Sequence, residues 1–200
     1  MANMAELVYS QFQKEGMENV DWMFYDYMPT TASSTQTLKF FQNSSSVGRA
    51  RTNMVVAGQL PDPQAFLVTG LECLIFNLDG KPFEGTVGGT DVIYPVNTIF
   101  SKGYMDLVVS PKTVFESHMR AFYSQVDAIA TASATDTQSG AINNMLFRKS
   151  YRFQIPVLIL PQRHFELNMT VTTPAETGGY TAANSMIMWI MRGLLRRNSN

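Results

Sequence analysis

The sequence predicts an all-β protein, an antiparallel sandwich or barrel. Apolar runs of strand length recur along the chain, about eight of them, as in "TLKFFQ", "RTNMVVAG", "QAFLVTGLECLIFNL", "YMDLVVS" and "FELNMTVTT". Between them stand turn signals such as "QLPDP" and "DGKPFEGTVGGT" rather than helices of ten residues or more. And the run after His164 alternates strictly: Phe165, Leu167, Met169 and Val171 against Glu166, Asn168, Thr170 and Thr172. A period of two marks a strand with one buried face. Strands without intervening helices pair antiparallel, which excludes a doubly wound parallel sheet.

Taken in order, the chain opens with a short helix over residues 3–15, where Ala5, Leu7, Val8 and Phe12 fall at helical spacing. "VDWMFYDYMP" follows, an aromatic cluster that must be covered by its own domain or by a neighbour. Residues 1–35 read as an N-terminal arm, and removal of residues 1–30 is expected to leave a folded domain that no longer associates. After the polar "TTASSTQT" the strands begin. Pro95 in "DVIYPVNTIF" argues for an edge strand or a bend. Residues 112–130 predict a second helix, because Val114, Phe115, His118, Phe122, Val126 and Ile129 recur near every third or fourth position, though a strand fits too. "TASATDTQSGAINN" and "TPAETGGYTAANS" read as loops. In "QIPVLILPQRHFELNMTVTT", Ile155 to Leu160 is too short to span a membrane and Pro156 would interrupt a helix, so "PQRH" reads as a turn between two strands. "MIMWIM", Met186 to Met191, apolar on both faces, closes the domain as a buried strand, and residues 192–200 form a basic tail. A membrane-surface helix is the alternative for "MIMWIMRGLLRR".

A chain of 200 residues, 45% hydrophobic and 12% aromatic, suits one compact domain. Only 16% of residues are charged, below the roughly 25% of an average soluble protein, which predicts an exterior partly covered by copies of the same chain. Charge is uneven. Residues 1–30 carry five acids against Lys14, a net −4, and residues 148–200 carry seven bases against Glu166 and Glu176, a net +5. That polarity suits head-to-tail association or contact of the basic end with phosphates. The single cysteine, Cys73, excludes an internal disulfide, and its apolar surroundings predict a buried thiol. The opening residues lack a signal-peptide pattern, so synthesis in a cytoplasm is expected.

Motifs for chemistry are scarce. His118 and His164 stand outside any His-x-His or His-Glu-x-x-His spacing, so no metal site is predicted, and His164 reads as a turn residue. "EGTVGGT" lacks the Gly-Lys-Ser/Thr ending of a phosphate-binding loop. There is no Gly-x-Ser-x-Gly elbow, and Cys73 has no base nearby in sequence. Glu72 and Glu166 are the acids inside apolar strands, and both are assigned to outer faces rather than to a hydrolytic pair. The expectation is therefore a non-enzyme without cofactor, metal or small-molecule substrate.

"RTNMVVAGQLPDPQAFLVTGLECLIF", "GYMDLVVSPKTVFE" and "RFQIPVLILPQRHFELNMTVTTP", followed by an apolar strand ending Leu-Leu-Arg-Arg, form a series. Its layout over residues 36–197 resembles the jelly-roll coat proteins of icosahedral viruses, especially the single jelly-roll capsid proteins of bacterial and archaeal viruses. That resemblance implies an eight-stranded jelly-roll sandwich over residues 36–191 and a place in the virion. It implies self-association into capsomers of an icosahedral shell, beside other coat proteins and around a genome or an internal membrane. By position and chemistry it implies subunit contacts at Trp22, Phe24, Tyr25, Tyr27, Trp189 and Arg192, and genome or membrane contacts at Arg196 and Arg197. A phage tail or spike module binding a receptor or glycan is the alternative.

Overall fold

A computed structural model describes residues 4–13, 16–30, 35–77, 103–122, 150–172 and 185–199. Among these residues stand a helix α1 (Met4–Phe12) and eight strands: β1 (Met17–Pro29), β2 (Thr35–Phe40), β3 (Ala65–Asn77), β4 (Tyr104–Val109), β5 (Lys112–His118), β6 (Ser150–Ile159), β7 (Phe165–Thr172) and β8 (Ser185–Asn198). Short 3-10 turns lie at Ser45–Val47 and Met119–Phe122. The strands form two four-stranded sheets, ordered β1-β8-β3-β6 (sheet A) and β2-β7-β4-β5 (sheet B). First pairs with last, second with seventh, third with sixth and fourth with fifth, each pair antiparallel. A long antiparallel ribbon rolled over on itself gives this order, which is the jelly roll with its two Greek keys.

The core lies between the sheets, and period two supplies it from both sides. Leu38 and Phe40 of β2, Met105 and Leu107 of β4, and Phe165, Leu167, Met169 and Val171 of β7 face Phe66, Leu71, Cys73 and Ile75 of β3 and Ile187, Trp189 and Met191 of β8. Trp189 is wholly buried, its ring edge-on to Phe122 at 4.9 Å between centroids, with its indole N–H donating to Met169 Sδ at 3.4 Å. A buried Trp needs such a partner for its polar atom. Burial also pushes the Cys73 thiol far above its usual range, which leaves it inert.

Four expectations need correction. Residues 51–58, read as a strand in "RTNMVVAG", make only the isolated bridges Asp26↔Thr52 and Val56↔Gln59 among turns. Residues 112–118 are strand β5, paired with β4 from Tyr104↔His118 to Val109↔Lys112, so no helix covers them, while the rest of the expected helix beyond Phe122 lies outside the described residues. Residues 17–29 are not an arm: β1 is a full strand of sheet A, in register with β8 from Met17↔Asn198 to Pro29↔Met186. Removing them would strip sheet A of one of its four strands. Residues 192–198 are not a tail either, since β8 carries them through the centre of the sheet. The turn at "PQRH" is as expected: Gln162 adopts φ 57°, its N–H donates to Leu60 O at 2.8 Å, and His164 is exposed. The loops read at 79–90 and 131–144 and the strand read at 91–100 lie outside the described residues.

Candidate functional site

The two outer faces of the sandwich differ. On sheet B the outward side chains are Thr35, Thr37 and Lys39, Glu166, Asn168 and Thr170, Tyr104 and Asp106, Glu116 and His118, a polar row on every strand. Lys39 Nζ stands 3.8 Å from Glu166 Oε2 and His164 Nε2 3.6 Å from the same oxygen. Asp106 lies beside Asn168 on one side and Glu116 on the other. Desolvation raises its pKa above the usual carboxylate value, and the Glu166 and Glu116 charges add to the rise against the Asn168 hydrogen bond. Among the described residues no group of three His, Cys, Asp or Glu side chains is placed to hold a metal ion. Glu72 and Glu166 belong to different sheets and both face outward, so a sandwich about 10 Å thick keeps them apart. They form no hydrolytic pair.

Sheet A's outer face is apolar at one end and ionic at its middle. Helix α1 lies across it. Phe12 packs on Ala65 and Leu67, with Val8, Leu158 and Leu194 around them. Arg196 holds the helix end: its Nη1 donates to Phe12 O at 2.7 Å, and its guanidinium carbon sits 5.5 Å from the Phe12 ring centroid. Arg197 Nε meets Glu18 Oε1 at 2.5 Å. Arg196 is therefore a buried clamp within the domain, not a free contact to genome or membrane, and Arg197 is engaged across the β1–β8 pair.

Arg192 faces the same side. Its Nε and Nη2 lie 2.8 and 2.7 Å from Glu72 Oε2. Glu72 points to the outer face, as its place in the strand predicts, yet its side chain is only 1% exposed. A carboxylate so placed requires a charged, hydrogen-bonded partner, and Arg192 supplies one.

Beside this pair a groove of about 720 Å³ runs to the sheet edge, lined by Tyr9, Asp21, Met23, Thr69, Arg192 and Leu194, with Trp22 and Asn53 at its rim. Trp22 and Met23 are exposed there, at 39% and 45%. The edge itself is partly closed. Asn53 acts as a piece of backbone: its Nδ2 donates to Met23 O at 2.8 Å and its Oδ1 accepts from Tyr25 N–H at 2.9 Å. Tyr27 N–H reaches Arg51 O at 3.0 Å, and the Tyr25 hydroxyl donates to Arg49 O at 2.7 Å. Such cover blunts the outer edge of β1 over Met23–Tyr27.

Next to these contacts, Asp26 faces inward and is fully buried, accepting from Phe41 N–H at 2.5 Å and Tyr27 N–H at 3.0 Å. Burial raises its pKa to about 6, against the lowering effect of the two N–H donors.

Of the residues expected at subunit contacts, the structure brings Trp22 and Arg192 to one groove and leaves Tyr25 and Tyr27 half-buried nearby on β1. Phe24 and Trp189 belong to the core: Phe24 stacks edge-on against Phe66 at 4.8 Å, and neither presents its ring at the surface. Trp189 looked terminal in sequence, but β8 is an inner strand. Sequence reading missed Tyr9, Met23, Asn53 and Arg152. The alternation Tyr151–Arg152–Phe153 held the signal for Arg152, but which strand lies beside it follows only from the sheet order.

No protein-family model matches the chain, and no curated protein matches it in sequence. Among solved structures it is similar to a chain of the crystal structure of PBCV-1 VP54 fitted into a cryo-EM reconstruction of the virophage Sputnik. The TM-score is 0.41 at 12% identity, over 91% of this chain and 43% of that one. The chain thus spans less than half of that protein's length. So faint a likeness carries no weight for function; the jelly roll stands on the strand order alone.

Proposed function

We propose that this protein is a structural subunit of a viral shell, a single jelly roll whose work is to associate with copies of itself into capsomers. The observation that carries the reading is the exposed cluster of Tyr9, Trp22 and Met23 around one groove of a jelly roll. Large aromatic and Met side chains held half-exposed on rigid elements are what interface centres are made of. The domain's low charge supports the same reading. A subunit of a closed shell needs extended, repeated, self-complementary surfaces.

The test is sedimentation velocity with negative-stain microscopy on wild type and on Tyr9→Ser/Met23→Ser, two positions exposed enough to leave the fold intact. Wild type is expected to form ring-shaped capsomers or closed particles, and the double variant to remain monomeric with an unchanged thermal transition. Wild type that stays monomeric at every concentration would overturn the reading. Compact trimers without rings would move it to the spike alternative.

A further inference from the structure

We infer that sheet A carries an oxyanion-binding cleft, in which Arg152 and Arg192 clamp a carboxylate or phosphate group across Gly70. The site adjoins the apolar groove, sharing Tyr9, Thr69 and Arg192 with it, and does not depend on the shell reading.

The sheet register builds it. Gly70 on β3 lies opposite Arg152 on β6 and opposite Arg192 on β8. Cross-strand partners share a face, so the two arginines flank Gly70 in one row, their Cα atoms about 10 Å apart at the usual strand spacing. Tyr151 and Phe153 on either side pack on the core, which fixes Arg152 outward. The row owes its gap to a bulge. β3 slips register between Val68 and Gly70 against both neighbours, and a Cβ at position 70 would lie 2.8 Å from Tyr151 O. Glycine is thus demanded by close backbone approach. The consequence is a space between two guanidinium groups that no side chain of the central strand fills.

That space is a cleft of about 520 Å³, lined also by Tyr9, Ser150 and Glu72. Its charge is unbalanced. Glu72 is paired with Arg192, which fixes the Arg192 guanidinium in place. Arg152 is exposed and makes no ion pair among the described residues, nor do the hydroxyls of Ser150 and Tyr9 find hydrogen-bond partners there. Among the described lining residues one positive charge therefore remains, with a surplus of N–H and O–H donors. Guanidinium groups present donors in a fixed fork that matches the oxygens of carboxylates and phosphates. An anion with two or three oxygens supplies the acceptors this cleft lacks.

The experiment uses the full chain, with the arginine Nε–Hε resonances followed by NMR as inorganic phosphate, and separately acetate, is added against sodium chloride at matched ionic strength. Saturable shifts at Arg152 and Arg192 beyond the chloride control are expected, and Arg152→Gln should weaken binding at least about tenfold. Arg152→Lys should retain part of the affinity, and neither variant should move the thermal transition, because Arg152 is exposed. Tighter binding of phosphate assigns a phosphoryl ligand and tighter binding of acetate a carboxylate; either supports the site. Absence of saturation with both anions, or Arg152→Gln binding as well as wild type, overturns it.

Discussion

The substitution Gly193→Ala tests whether the bulge in β3 sets the spacing of sheet A. Gly193 lies on β8 opposite Trp22 on one side and Val68 on the other, next to the register slip. A Cβ there would overlap the Leu67 carbonyl oxygen, 2.8 Å from its carbonyl carbon and 3.1 Å from Phe66 Cζ. Carbon atoms pack at about 3.5 Å or more, so β3 and β8 must separate by at least roughly 0.7 Å at this point. The obstacle is backbone in two central strands with core on one side and α1 on the other, so no side-chain rotation relieves it. Overpacking typically costs about 1–3 kcal/mol, and a backbone clash belongs at the upper end, about 3 kcal/mol. Against a total stability of about 5–15 kcal/mol that is a large fraction. In urea unfolding followed by tryptophan fluorescence, a slope of about 2 kcal/mol/M turns it into a midpoint roughly 1.5 M lower. The chain has two tryptophans, and Trp189 reports the core. Gly16→Ala is the control: its φ of 76° is unfavourable for alanine, yet nothing lies within 4 Å of the added carbon. It should cost only about 1 kcal/mol. A Gly193→Ala midpoint within about 0.5 M of wild type would refute the claim that the sheet is locked at this approach.

Two further predictions follow from buried charge. Arg192→Ala strands the Glu72 carboxylate without its guanidinium and should cost about 3 kcal/mol in urea unfolding, whereas Glu72→Met/Arg192→Met should recover most of that loss; equal losses in both variants would contradict it. Asp26 has a folded pKa of about 6 against an ordinary value of 3.8, so the native state holds its proton more tightly than the unfolded chain. Its contribution is fully present below about pH 4 and is lost as pH rises through about 6, a change of roughly 3 kcal/mol. The stability of wild type relative to Asp26→Asn, which does not titrate, should fall by that amount between about pH 4 and 7.5. A difference that stays constant with pH would show that Asp26 is not the group responsible.

The sandwich was legible where one face of a strand is dry and the other wet. Phe165, Leu167, Met169 and Val171 alternate with polar residues on β7, and each of the four is buried as that pattern requires. It was illegible where both faces are covered. On β1, Phe24 and Asp26 are buried toward the sandwich interior while Met23, Tyr25 and Tyr27 point outward, so "WMFYDYM" shows no polar alternation and reads as a sticky arm. β8 hides its period for the same reason: Ile190 is outward but only 5% exposed, beside Trp189 at 0%. Residues 112–118 misled in a different way. Val114, Phe115 and His118 fall at helical spacing by coincidence on a strand whose outer side is exposed. Arg192 and Arg196 are basic in sequence near the chain's end, but their charges answer Glu72 and the end of α1. Local sequence gave their chemistry; only the register of three strands gave their partners.

The contrast between the two outer faces decides where a neighbouring copy would dock. Covering sheet B means desolvating Asp106, Glu116 and Glu166 together, and Asp106 already has its pKa raised by partial burial beside the other two carboxylates. Burying such a row further without matched cations is costly. The groove side of sheet A poses a smaller demand. Its buried acid Glu72 is already neutralised by Arg192 and its helix end by Arg196, which leaves Asp21 as an exposed acid beside Tyr9, Trp22 and Met23. Removing Tyr9, Trp22 and Met23 from water is favourable at about 25 cal/mol per Å² of apolar area. Asn53 and Arg51 occupy the backbone edge of β1 over Met23–Tyr27, so a partner meets side chains there rather than adding a strand. Association through this face would therefore be side-chain packing around an aromatic centre, with the acidic face of sheet B left to solvent.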